Sequence, residues 1–155
     1  MESVNELAEY YNIPILYSCH PRSEKYIKLR NFKFDKRVIK HKPLGFFDYN
    51  NLQKNAFCVV SDSGTIPEES SYLKFPAVSI RTSTERPEAM ENGNFIIGSL
   101  SSKEVLQAVD LAVSMYANNE TIDSVEAYSN TNVSSKVIKI IQSYVGIINK
   151  MVWRK

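Results

Sequence analysis

Apolar residues along the chain occur in short continuous runs that predict buried strands. These runs are Ile13 to Tyr17, Phe57 to Val60, Pro76 to Ile80 and Phe95 to Ile97. Strands buried on both faces lose the alternation of polar and apolar residues that half-exposed strands show. Segments with helical character lie between the runs, and parallel strands need such crossovers. The pattern therefore predicts an α/β fold with a doubly wound parallel sheet.

Three segments carry apolar residues at the three-to-four spacing of helices. They are Ser3 to Tyr11, Ser102 to Ala117 and Ser134 to about Trp153. The polar stretch between the last two predicts a loop. The final helix has more apolar surface than one sheet face needs, so it is either a well-buried terminal helix or a surface that contacts something else.

Length and composition favour one globular domain over residues 1–155. The chain is 43% hydrophobic, which suffices for one core, and its formal net charge of +2 includes no basic block that suggests nucleic-acid binding. Its sequence contains neither the features of a signal peptide nor an apolar run of membrane-spanning length, so we expect no membrane association and a cytoplasmic location. Cys19 and Cys58 lie in apolar runs, so we expect them to be small buried residues. Their spacing does not match that of a metal site.

The segment from Val60 to Glu69 runs from the end of a predicted strand into the start of a helix. Open parallel sheets bind ligands at this edge, where a helix start offers free backbone N–H groups and a positive dipole end. Ser63, Gly64 and Thr65 let the backbone approach a phosphate and add two hydroxyl groups. The segment therefore predicts a diphosphate site.

Glu69 lies one turn into the predicted helix, so its carboxylate could accept from a pair of ribose hydroxyls beyond the phosphates. Two other interpretations stay open. A capping box could join Ser63 or Thr65 to Glu68 or Glu69, and an acidic residue also complements the helix dipole.

Two further stretches follow predicted strands at the same edge. Arg86, followed by Pro87, could engage a phosphate oxygen with its forked donors, although an ion pair with a neighbouring Glu85 or Glu88 is the alternative. His20 and Arg22 follow the first strand, where a histidine could donate to phosphate, move protons or serve only a structural role. The segment does not match a nucleophile elbow, since Ser61 stands where that motif needs glycine, so we do not expect a serine hydrolase.

These residues resemble the signature of non-hydrolysing UDP-N-acetylglucosamine 2-epimerases. The matching motifs are Ser61-Asp62-Ser63-Gly64-Thr65-Ile66-Pro67-Glu68-Glu69 and Thr84-Glu85-Arg86-Pro87-Glu88, in the family's order and spacing. The Ser-Gly-Thr and Cys-His-Pro-Arg variants are most similar to the branch that makes UDP-N-acetyl-L-fucosamine for capsules or O-antigens.

The resemblance implies a larger enzyme of two Rossmann-like domains in the glycosyltransferase-B arrangement, with UDP held mainly by the C-terminal one. The chain is similar to that C-terminal domain. The family's N-terminal domain supplies the carboxylates that move the proton at carbon 2, so we expect little catalysis from residues 1–155 alone. A separately encoded N-terminal domain or a second copy of the chain are the expected protein partners, and no cofactor or metal is expected.

The resemblance also implies roles for individual residues. Ser63 and Gly64, with the neighbouring Thr65, would contact the diphosphate, and Glu69 would bind the ribose hydroxyls. Arg86 would contact the phosphates or the sugar in the cleft.

The remaining roles concern the catalytic histidine and the base. His20 is the candidate catalytic residue of this domain, with Arg22 beside it in the UDP site. Tyr49 or Phe47 falls where the family packs the uracil ring, and an aromatic face suits that base.

The sequence departs from the family pattern at three positions. Thr65 replaces the second glycine of the usual Ser-Gly-Gly, Pro67 a glutamine, and Pro21 the first arginine of the usual His-Arg-Arg. Two rival functions stay open: a UDP-sugar glycosyltransferase of the same architecture, and a non-catalytic module whose terminal helix binds a partner. The Thr84 to Glu88 motif favours the epimerase.

Overall fold

Parallel strands and helices alternate along the first hundred residues. The computed structural model describes residues 1–118, 120 and 124–155. The strands are β1 (Ile15–Ser18), β2 (Val38–His41), β3 (Val59–Ser61), β4 (Ala77–Ile80) and β5 (Ile96–Gly98). The helices are α1 (Glu2–Tyr11), α2 (Pro21–Leu29), α3 (Phe46–Lys54), α4 (Ile66–Leu73), α5 (Pro87–Glu91), α6 (Ser102–Ala117) and α7 (Val133–Ile148). A 3-10 turn at Glu126–Tyr128 precedes α7, and a π-helical turn at Asn149–Trp153 follows it.

The strands pair in two parallel groups. In one, β1 lies beside β2, with Ile15 opposite Val38. In the other the order is β3-β4-β5, with Val59 opposite Ala77 and Val78 opposite Ile96. Because all pairs are parallel, the carboxyl ends within each group share one edge, and the predicted α/β class is confirmed.

One hydrophobic cluster underlies both strand groups. Val78 of β4 is fully buried there against Leu7 of α1 and Val105 of α6, and Ile15 of β1 and Val60 of β3 pack against the same cluster. Successive side chains of a strand point to opposite faces. Helices α1 and α6 therefore cover one face.

The other face carries α4, the helix that begins at the predicted ligand edge. Ile66 at its start and Phe75 just after its end are almost wholly buried. Ser70 Oγ donates to the Pro67 carbonyl at 3.2 Å, and Ser71 Oγ accepts from the backbone N–H of Val125 at 3.1 Å. These contacts fix the helix that bears the candidate site.

Most predicted elements match the structure, and one strand was not predicted. Helix α6 has the expected bounds, and β3, β4 and β5 fall within two residues of the apolar runs. Strand β2 was missed because only Val38 and Ile39 are apolar before Lys40 and His41. The predicted loop between α6 and α7 includes the 3-10 turn, and residues 119 and 121–123 lie outside the described residues.

The second compact unit, residues 126–155, consists of the 3-10 turn, α7 and the π-helical turn. No residue of α7 is buried, and its apolar side chains, such as Ile141 and Tyr144, are about half exposed. Within its own unit the apolar surface of α7 is therefore exposed, and its burial against another element stays a prediction. Among the described residues, no helix combines the length and apolarity needed to cross a bilayer.

Both cysteines are free thiols, as the prediction of small buried residues implies. Burial raises the pKa of the Cys58 thiol to about 12. Burial, with a hydrogen bond from Sγ to Glu24 Oε2 at 3.4 Å, also raises the pKa of Cys19. Since the thiolate is the reactive form, both residues are poor nucleophiles at neutral pH.

Candidate functional site

The turn between β3 and α4 is held by its own hydroxyl groups. The backbone N–H of Ser63 donates to Ser61 Oγ at 3.1 Å, and that of Thr65 donates to Ser63 Oγ at 3.3 Å. The Ser63 and Thr65 hydroxyls lie 2.9 Å apart. Pro67 occupies the first turn of α4, as expected of a residue without an N–H. The small residues therefore form an ordered turn at the start of the helix.

Glu69 reaches back from α4 to this turn. Its Oε1 accepts from the Thr65 hydroxyl at 2.7 Å, and its Oε2 accepts from Gln53 Nε2 at 2.5 Å. Thr65 is the N-cap residue, yet its side chain makes no capping hydrogen bond to the backbone. Ser63 accepts from the backbone N–H of Thr65, but the box is not completed, because Glu69 binds two side chains and Glu68 binds Arg86.

Arg86 lies in the loop that follows β4 and is oriented before any ligand arrives. Its Nε donates to Glu68 Oε1 at 2.5 Å, and its Nη1 donates to the Glu85 carbonyl at 3.3 Å. The Glu85 carboxylate instead pairs with Arg81 at 2.9 Å. Arg86 thus forms an ion pair with Glu68, a residue outside the predicted choice of Glu85 or Glu88.

Arg81 joins the end of β4 to the turn after β3. Its Nη1 lies 3.8 Å from where a Cβ on Gly64 would stand, which is an ordinary contact. The backbone of Gly64 is also outside the left-handed region. Neither packing nor conformation within the chain therefore requires glycine here. Arg81 was not among the residues predicted for the site, although its position directly after a strand was a usable signal.

His20 begins α2 at the end of β1. Its Nδ1 accepts from the backbone N–H of Arg22 at 3.3 Å, so the neutral ring carries its hydrogen on Nε2. The side chains of His20 and Arg22 are both exposed. Burial raises the pKa of Tyr17 in β1, and the charge of Asp62 in the β3–α4 turn adds to the rise. The end of β1 therefore lies within electrostatic range of that turn.

The two aromatic candidates for the base differ in position. Burial raises the pKa of Tyr49, and the negative charge of Glu69 adds to the rise. Phe47 is 84% exposed and packs edge-on to Phe46 with ring centroids 5.6 Å apart. Tyr49 is thus half-buried and senses the charge of Glu69, whereas Phe47 lies at the surface.

Sequence and structure comparisons agree on one family. The family model described as UDP-N-acetylglucosamine 2-epimerase matches residues 1–142. The chain belongs to the UDP-N-acetylglucosamine 2-epimerase family. A UDP-N-acetylglucosamine 2-epimerase from Methanococcus maripaludis is 33% identical over 115 residues, covering 70% of this chain and 31% of the relative.

Solved structures of family members share the fold across the whole chain. The enzyme from Rickettsia bellii superposes with a TM-score of 0.82 at 37% identity, covering 99% of this chain and 43% of its own. The Methanocaldococcus jannaschii enzyme, solved with UDP-GlcNAc and UDP, superposes with a TM-score of 0.76 at 28% identity. The match covers 92% of this chain and 39% of the M. jannaschii chain. The chain thus spans about two fifths of the length of these structures, and the predicted fold class is confirmed.

Proposed function

We propose that residues 1–155 form the UDP-binding C-terminal domain of a UDP-N-acetylhexosamine 2-epimerase. The main support for this proposal is the turn at the start of α4, where the side chains of Ser63, Thr65 and Glu69 form a chain of hydrogen bonds. Hydroxyl groups and free N–H groups at a helix start suit a diphosphate, and the carboxylate one turn later suits ribose hydroxyls. The relative from M. jannaschii, whose structure contains UDP, supports this assignment.

Two arginines supply positive charge to the proposed diphosphate site. Arg81 borders Gly64, and Arg86 reaches the same edge from the β4–α5 loop. A phosphate beside the Gly64 backbone would lie within reach of the Arg81 guanidinium. Guanidinium groups bind phosphate oxygens through parallel N–H donors. The arrangement therefore favours a ligand with two adjacent phosphates.

The proposal assigns the sugar and the base by position. Tyr49, near Glu69, would stack on the uracil, while Phe47 would reach the base only by moving from the surface. His20 and Arg22 would face the sugar from the end of β1, with His20 Nε2–H directed to a phosphate or to the reacting sugar. The carboxylates that move the proton at carbon 2 would come from the family's other domain, which a separate chain could supply.

We also propose that the enzyme belongs to the branch forming UDP-N-acetyl-L-fucosamine for capsule or O-antigen polysaccharide in the cytoplasm. The Ser63-Gly64-Thr65 variant, which is similar to that branch, supports this finer assignment. The Thr65 hydroxyl donates to Glu69 at 2.7 Å, a contact that the glycine usual in the family cannot make. The Ser-Gly-Thr variant thus changes how the ribose-binding carboxylate is held.

A second candidate function is a module that binds a partner through α7. The apolar side chains of this helix are exposed in its own unit, and large apolar surfaces often mark interaction sites. Such a module, or a homo-oligomer, is compatible with UDP binding. Retained self-association in the absence of any nucleotide binding would favour the module over the epimerase.

The proposed diphosphate site predicts a graded affinity for uridine, UMP and UDP. Each added phosphate gains charge-assisted hydrogen bonds, so UDP should bind about 100-fold more tightly than uridine, with UMP between them. Titration calorimetry of the 155-residue chain at fixed ionic strength measures the three affinities. Equal affinities for uridine and UDP would contradict the assignment of Ser63, Gly64 and Arg86 to the phosphates.

A further inference from the structure

Gln53 is a buried polar residue that the family signature does not include. It lies in α3 and is only 3% exposed. Its Nε2 donates to Glu69 Oε2 at 2.5 Å across sixteen residues of sequence. Its Oε1 is buried and has no hydrogen-bond partner among the described residues. This side chain thus makes one strong contact and leaves the other half of its amide unpaired.

The orientation of the Gln53 amide follows from the charge of its partner. An ionised carboxylate only accepts hydrogen bonds, so Nε2 must face Glu69 and Oε1 must point away. A buried acceptor without a partner destabilises a fold, whereas an apolar side chain of the same shape would not. Stability alone therefore does not explain a glutamine at this position. Its contribution lies in what it does to Glu69.

Thr65 holds the other oxygen of the same carboxylate. Its hydroxyl donates to Glu69 Oε1, and Ser63 Oγ orients that hydroxyl from 2.9 Å away. Each carboxylate oxygen thus has one protein donor and keeps acceptor capacity for a second. The two donors come from different elements, α3 and the β3–α4 turn. Together they fix the plane of the carboxylate.

We propose that Gln53 is a positioning residue that aims Glu69 at the two vicinal hydroxyls of a ribose. This inference rests on the proposed UDP site. Held by Gln53 and Thr65, the carboxylate presents one remaining acceptor position on each oxygen, which matches a pair of adjacent hydroxyl donors. The site then selects ribonucleoside diphosphates over their 2′-deoxy counterparts, and Gln53 sets the strength of that selection.

The test compares the affinities of UDP and 2′-deoxy-UDP for the 155-residue chain by calorimetry. Wild type should prefer UDP by about tenfold, the value of one hydrogen bond to a charged group. Gln53→Met keeps the unbranched shape and removes the donor, so most of this preference should disappear. Its affinity for 2′-deoxy-UDP should stay within about twofold of wild type, and its melting temperature should not fall.

Matched variants separate positioning from packing. Lys54→Met, an exposed position on the same helix, should leave the preference intact. Thr65 is exposed, and Thr65→Val removes the second donor to Glu69. This variant should also reduce the preference for UDP over 2′-deoxy-UDP, so it tests the inference even if Gln53→Met does not fold. Glu69→Gln should lower the preference, and Gln53→Met should add little in its background.

Three results would overturn the inference. Gln53→Met could keep the full preference for UDP, or lose affinity equally for both nucleotides, which is the behaviour of a packing defect. If Gln53→Met is unfolded, an unchanged preference for UDP over 2′-deoxy-UDP in Thr65→Val would overturn the inference. A failure of wild type to bind UDP at all would instead overturn the proposed function itself.

Discussion

Replacing Arg86 by alanine is expected to weaken UDP binding by about 30-fold, because a forked donor to the diphosphate is removed. The guanidinium is oriented in advance by Glu68 at 2.5 Å and by the Glu85 carbonyl at 3.3 Å. Little ordering is then required when a phosphate arrives, and preorganised donors contribute most to affinity. Titration calorimetry of the variant against wild type measures the loss.

Two further variants define the origin of the Arg86 effect. Arg86→Lys keeps the positive charge and loses the fork, so an intermediate affinity is expected. Arg30→Ala removes a guanidinium that lies 6.0 Å from the Tyr26 ring, outside the proposed site, and should bind as wild type does. Wild-type affinity in Arg86→Ala, with a native circular dichroism spectrum, would remove this residue from the site.

Phe75→Ala should lower the free energy of unfolding by about 3–5 kcal/mol. Phe75 is 1% exposed and is the largest of the fully buried side chains. It follows α4 and precedes β4, so its ring secures the helix that bears the ligand edge to the sheet. Urea unfolding followed by far-ultraviolet circular dichroism measures the change as a shift in midpoint at constant slope.

An aromatic residue on α4 provides the matched control for Phe75. Tyr72 is 80% exposed, so Tyr72→Ala should change the free energy of unfolding by no more than about 0.5 kcal/mol. The fluorescence of Trp153, the single tryptophan, would follow the unit 126–155 rather than this core. Similar losses in the two variants would contradict the placement of Phe75 in the core.

The fold was largely predictable because its buried strands and one long helix have strong local patterns. The apolar run at Pro76 to Ile80 marks β4, which is central in its group. Helix α6 begins where Ser101 Oγ accepts from the backbone N–H of Glu104, a cap that the sequence displays. Strand β2 pairs with β1 and is half polar, so its pattern resembles a loop.

The candidate site was predictable only where its contacts are local in sequence. Ser63, Thr65 and Glu69 lie within two helical turns, so the motif itself brings them together. Gln53 comes from a different helix, and no spacing rule connects it to Glu69. Likewise, the pairing of Glu68 with Arg86 spans eighteen residues and strand β4, and the sequence offered nearer partners for the arginine. Contacts of this kind follow from tertiary packing.

The central claim is that the turn after β3 and the first turns of α4 bind UDP, and titration of the 155-residue chain with UDP tests it most directly. Wild type should bind one equivalent with saturation, and Glu69→Ala should bind about tenfold more weakly while keeping its fold. Absence of saturable binding by folded wild-type chain at millimolar UDP would contradict the claim.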